Sequence, residues 1–65
     1  MGQAEILKLL QKKREPLPAR KIAELLNVSI SAVKNALKRL KKYDEIKSIE
    51  KIVNKRWVVF YFVEE

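Results

Sequence analysis

Two kinds of hydrophobic pattern divide this chain. Up to Leu40 the apolar residues return every three or four positions, and from Ile46 onward they cluster in short runs. The first pattern is that of amphipathic helices and the second that of strands. Ala4, Ile6, Leu7, Leu9 and Leu10 predict a first helix over about 3–14. Lys8 and the Lys12, Lys13, Arg14 cluster lie on or near its other side, the last three suiting the negative end of the helix dipole. The segment Glu15-Pro16-Leu17-Pro18 ends it, because proline removes an amide donor and turns the preceding residue away from helical geometry.

Ile22, Ala23, Leu25 and Leu26 give the apolar stripe of a second, short helix over about 19–26. Asn27 suits its C-terminus, since Asn tolerates the left-handed region better than most residues. Ser29 has the chemistry of an N-cap for a third helix over about 30–43, although Ala32 denies it a full capping box. Val33, Ala36, Leu37 and Leu40 share one face of that helix. The runs IKSIEKIV and RWVVFYFV, separated by Asn54-Lys55, then predict a β-hairpin over about 46–63. A two-residue loop pairs Ile52 with Trp57 and Ile49 with Phe60, whereas a three-residue loop reverses one strand's faces. Asn54 accepts a positive φ, but Lys55 does so less readily than the glycine usual there.

The order is therefore helix, helix, helix, strand, strand, an α+β arrangement within a single domain of 65 residues. The second and third helices, joined by a turn of about three residues, have the form of a helix-turn-helix.

Charge changes what this fold is expected to do. Fifteen Lys and Arg against eight Asp and Glu leave a net charge of +7, which points to a polyanionic partner, most often nucleic acid. The cations are concentrated. From Ser29 to Lys42 there are five, Lys34, Lys38, Arg39, Lys41 and Lys42, and no acid. At about 100° per residue, with Val33 at the centre of the buried side, Ser31, Asn35, Lys38 and Lys42 cluster opposite. Lys34 and Lys41 flank one edge and Arg39 the other. Unpaired like charges at i,i+4, such as Lys34 with Lys38, repel by a few tenths of a kcal/mol each, and a phosphate lattice would relieve them.

Catalytic chemistry is poorly represented. There is no Cys and no His, hence no disulfide, no usual nucleophile–base pair and no zinc site. Asp44-Glu45 and Glu64-Glu65 are sequence neighbours rather than a separated, shielded acid–base couple. The single glycine, Gly2, excludes a Gly-rich phosphate loop. We expect no enzyme, no cofactor and no small-molecule substrate. The longest apolar run is WVVFYFV, far short of a membrane span, and no signal-peptide core is present. A cytoplasmic, nucleoid-associated protein is expected.

With Leu17, Ile22-Ala23, Leu25-Leu26, Ser29, Val33, Leu37 and Leu40 in this order, the chain resembles the winged-helix family of transcription regulators over about residues 3–63. It departs from the family where Asp44 replaces the glycine that often follows the third helix. The resemblance implies a third helix lying in the DNA major groove, a second helix crossing the backbone, and a hairpin wing beside them. Asn35 could then match the N6/N7 edge of adenine, Lys34 or Lys38 donate to guanine, and Ser31 reach a base or a phosphate. Arg39, Lys41 and Lys42 are expected on phosphates, as are Ser29 with the helix N-terminus. Arg20 and Lys21 oppose the dipole at the start of the second helix, so a phosphate explains them better than the fold does. Lys51, Lys55 and Arg56 surround the wing tip, for phosphate or minor-groove contact.

The WVVFYFV run is apolar on both strand faces, and only one can cover the helices. A homodimer is expected to use the other, through the first helix or the terminal strand, with Trp57, Val59, Tyr61 and Val63 as candidates. Three rival readings accompany sequence-specific regulation: an architectural DNA binder without sequence preference, a protein–protein adaptor, and a Z-DNA binder. The last subgroup has Asn and Tyr where this chain has Lys34 and Lys38, although Trp57 coincides with a tryptophan it also carries.

Overall fold

The computed structural model describes residues 3 to 64, with the Gln3 side chain left out. The lone glycine, Gly2, and Glu65 of the terminal acid pair lie outside these residues. Three helices, α1 (Gln3–Lys13), α2 (Ala19–Leu26) and α3 (Ile30–Lys42), precede two strands. A further two-residue strand, β1 (Leu17–Pro18), sits between α1 and α2, followed in the chain by β2 (Lys47–Val53) and β3 (Arg56–Phe62). This is the winged-helix arrangement.

Local chemistry sets each boundary. Helix α1 stops at Lys13 because Arg14 turns to φ 55°, while its amide still donates to the Leu10 carbonyl. Helix α2 ends in a Schellman motif: Asn27 is left-handed, its amide donates to the Glu24 carbonyl, and the Val28 amide donates to the Ala23 carbonyl. Ser29 Oγ accepts from the Ala32 amide at 3.2 Å and caps α3. Helix α3 closes with a second Schellman motif at the position where the family often has glycine. Asp44 takes φ 57°, its amide donates to the Lys41 carbonyl, and the Glu45 amide donates to the Leu40 carbonyl. Asp is one of the few residues whose short polar side chain tolerates this conformation.

The core is assembled from one stripe of each helix together with the connections: Ile6 and Leu10 of α1, Leu17, Ile22 and Ala23, then Val33, Leu37 and Leu40 of α3, and Ile46. No buried side-chain polar atom lacks a partner among the described residues. The predicted stripe of α2 is too wide, since Leu25 is exposed and Leu26 only half-buried. An eight-residue helix touching its neighbours along one line has room for two fully buried side chains.

The hairpin has a two-residue loop. Val53 pairs with Arg56, Ile52 with Trp57 and Ile49 with Phe60. Asn54 and Lys55 both have positive φ, 51° and 64°, as a type I′ turn requires. The sheet has a third member that periodicity does not reveal: β1 pairs with β3, Leu17 opposite Tyr61 and Pro18 opposite Phe60. The order β1-β3-β2 makes β3 the central strand, with neighbours on both edges, and this is where WVVFYFV lies.

Tyr61 and Val63 pack against the helical core. Strand alternation therefore turns the 57, 59, 61, 63 side of β3 inward and leaves Val58, Phe60 and Phe62, beside Ile49 of β2, on the outer face. This narrows the expected dimer surface. Tyr61 and Val63 are engaged within the domain and Val59 is half-buried on the same inner side, whereas Trp57 is exposed, and the outer side adds half-buried Val58, Phe60 and Phe62 as further apolar candidates.

Candidate nucleic-acid interface

Helix α3 presents two unlike sides because its sequence separates them. Val33, Leu37 and Leu40 are each 1% exposed. Ser31, Lys34, Asn35, Lys38, Arg39, Lys41 and Lys42 are all exposed. There is no acid in the helix, and its last turn carries Arg39, Lys41 and Lys42. Among the described residues no carboxylate pairs with Lys34, Lys38, Arg39 or Lys42. The Lys42 ammonium instead lies 5.9 Å from the centre of the Tyr43 ring, a cation–π contact that leaves its donors free for a further anion.

The exposed side splits along its length. Lys34, Lys38, Lys41 and Lys42 border a shallow cleft between α3 and the sheet, closed below by Leu37 and Tyr61. On this edge Lys41 Nζ donates to Ser48 Oγ of β2, so this cation also ties the helix to the wing. Asn35 and Arg39 fall on the other edge. They line a groove between α3 and the start of α1 together with Ile6, Leu26 and Val28. The acidic Glu5 borders the same groove, so the Arg39 edge is less uniformly positive than the lysine edge. Ser31 sits in the first turn of α3, two residues after the Ser29 cap.

Arg20 and Lys21 are exposed in the first turn of α2. That turn contains no acid, and Pro18, at the N-cap, supplies no side-chain bond. Its amides and the two cations thus form an unneutralised positive end close in sequence to the turn that leads into α3.

The wing cations occupy different places. Lys55 is in the turn, and Arg56 opens β3. Lys51 lies over the outer sheet face, its ammonium 5.7 Å from the centre of the Phe60 ring, and so points away from α3. Sequence spacing grouped the three, but strand alternation separates Lys51 and Arg56 from the side that faces the helices. Sequence reasoning missed Ser48, whose hydroxyl anchors Lys41, because the contact depends on how the hairpin packs.

No helix among the described residues is long and apolar enough to cross a membrane. No group of three His, Cys, Asp or Glu residues among them could hold a metal ion.

Comparison with known proteins agrees with this geometry. No curated protein matches the sequence. Among solved structures, the DNA complex of Lactococcus lactis ZitR superposes with a TM-score of 0.75 at 37% identity, covering 95% of this chain and 40% of that one. A ZitR variant gives 0.81 at 40% identity, covering 97% and 41%. The adhesin competence repressor AdcR of Streptococcus pyogenes gives 0.80 at 33% identity, covering 97% and 45%. ZitR is described as a zinc-responsive member of the MarR family. The chain thus spans under half the length of each of these proteins. Residues 3–54 match the HTH domain family, which takes in all three helices and the whole of β2, and the chain belongs to that helix-turn-helix family.

Proposed function

We propose that this winged helix binds duplex DNA sequence-specifically as the DNA-reading part of a transcription regulator, with α3 in the major groove. The observation that carries the reading is the acid-free outer side of α3, exposed along its length and unpaired with any carboxylate among the described residues. A helix of this width fits a major groove about 12 Å across. The resemblance to ZitR, solved in complex with DNA, supports DNA as the partner.

Base reading falls to Ser31, Lys34, Asn35 and Lys38, phosphate contact to Arg20, Lys21, Ser29, Arg39, Lys41 and Lys42, and wing contact to Lys55 and Arg56. Lys51 belongs to the wing set only if its stem leaves Phe60. Lys41 combines contact with bracing of the wing. Such a regulator works by occupancy and needs no covalent step, and its place is where DNA is, in the cytoplasm. A homodimer would read half-sites about one helical turn apart. Within this domain its contact would fall on Ile49, Val58, Phe60 and Phe62 rather than on Tyr61 and Val63.

Selection of bound duplexes from a random pool tests the proposal. Enrichment of a defined motif is the expected result. Binding without enrichment would favour an architectural role, and no retention at low salt would favour an adaptor.

A further inference from the structure

Trp57 and Ile52 face each other across the hairpin, and they are 69% and 63% exposed. A cross-strand aromatic–aliphatic pair accounts for one flank of each side chain. It does not account for the rest, since Trp is a residue that proteins usually bury. The pair lies on the sheet side that meets α3, the side of Tyr61 in the lysine cleft and of Ser48 bonded to Lys41. From Tyr61, four residues of strand at about 3.4 Å each carry Trp57 roughly 14 Å outward. A groove is about 12 Å wide. The pair therefore lies about one groove-width along β3 from the lysine cleft, on the same side of the sheet.

We infer that Trp57 and Ile52 form an apolar contact with the sugar wall of the same duplex that α3 engages, adding affinity that does not depend on salt. This rests on the DNA-binding reading above. The deoxyribose rings are the apolar part of a duplex exterior, and an indole has the matching shape: a flat apolar body with an N–H able to donate to a phosphate oxygen. The surroundings favour this occupant over a second copy of the chain. Lys55 adjoins the pair at the turn, so two tips brought together would oppose like charges, whereas a duplex would neutralise them. Glu50 shares the inner side of β2 two residues before Ile52. It keeps phosphates off its own rung and restricts the contact to the outermost one.

The test compares the salt dependence of duplex binding by the unaltered protein and by Trp57→Ala, Trp57→Phe and Lys55→Ala. Losing a cation–phosphate contact flattens the plot of log affinity against log salt by about one unit. Losing an apolar contact lowers the whole line without tilting it. Trp57→Ala is expected to weaken binding about tenfold at every salt concentration, the size of a partly buried aromatic contact. Trp57→Phe should recover most of the loss, and Lys55→Ala should tilt the line. The unaltered protein's emission should shift to the blue on adding duplex, because Trp57 is its one tryptophan. Thermal melting of each variant separates a damaged hairpin from a lost contact: a Trp57→Ala loss that tracks a fall in melting temperature overturns the inference. Equal affinity of Trp57→Ala and the unaltered protein overturns it, as does a changed slope. A blue shift produced by raising protein concentration without DNA also overturns it, by assigning the tip to a second copy. If the unaltered protein binds no duplex at any salt, the parent reading fails and this one with it. Binding by α3 with an indifferent Trp57 removes this inference alone.

Discussion

Helix α3 and the wing hairpin are comparable in length and both are rich in cations, yet they specify their orientations by different means. In α3 the apolar residues lie along one line and the cations along another, so only one rotation of the helix buries Val33, Leu37 and Leu40. In the hairpin, β3 is apolar at nearly every position, so composition does not choose its inner side. Two other things choose it: the two-residue turn at Asn54-Lys55, which fixes register, and the pairing of Leu17 with Tyr61, which places β3 in the middle of a three-stranded sheet. An amphipathic element carries its orientation within itself. A doubly apolar strand receives it from its neighbours.

The largest expected effect tests that contrast through stability. Leu37→Ala should destabilise the domain by about 2–5 kcal/mol, the range for a buried leucine truncation, and denaturant unfolding would measure it. Val58→Ala on the half-buried outer sheet face should cost about 1 kcal/mol or less. Equal losses would mean that the outer face is as much a core as the inner one.

A second pair of substitutions separates reading from positioning on α3. Lys38→Ala should weaken binding to a preferred duplex by about 1–3 kcal/mol and relax the preference at one base pair. Lys42→Ala should reduce affinity evenly across sequences and flatten the salt slope by about one unit. Titrations against matched and mismatched duplexes would check both. Identical profiles would erase the division of labour along the helix.

The smallest expected effect concerns the turn. Lys55 is held at φ 64°, where an L-residue with a Cβ is strained by about 1–2 kcal/mol. Glycine removes that strain and loses part of the gain to unfolded-state entropy. Lys55→Gly should therefore raise stability by about 0.5–1 kcal/mol while giving up a wing charge. Thermal melting would show the gain, and a fall in stability would mean that the lysine stem contributes packing at the tip.

Much of this was legible in the residues alone. Ser29 as a cap, Asn27 as a left-handed terminator and the apolar line of α3 each follow from local chemistry, and local chemistry needs no knowledge of the rest of the fold. The face of α3 expected to be free is exposed and unpaired with acids among the described residues, again because one helix settles it. What escaped depends on contacts distant in sequence. Leu17-Pro18 is too short to give a strand pattern, so β1 was invisible, and with it the central place of β3 in the sheet. Tyr61 and Val63 were correctly grouped with Trp57 by alternation, but which side meets the helices is a tertiary fact. Lys51 joined the wing tip in sequence and lies over Phe60 in space. Lys41 counted as a phosphate contact without its bond to Ser48.

The central claim concerns where charge sits rather than how much there is. Two triple variants with the same net charge test it: Lys34, Lys38 and Lys42 of α3 changed to Ala, and Lys8, Lys12 and Lys13 of α1 changed to Ala. Duplex affinity measured across a salt series should fall steeply for the α3 triple, its slope flattening by about three units, and change little for the α1 triple. Equal losses from the two triples would contradict the account, because binding would then follow total charge and α3 would have no privileged role.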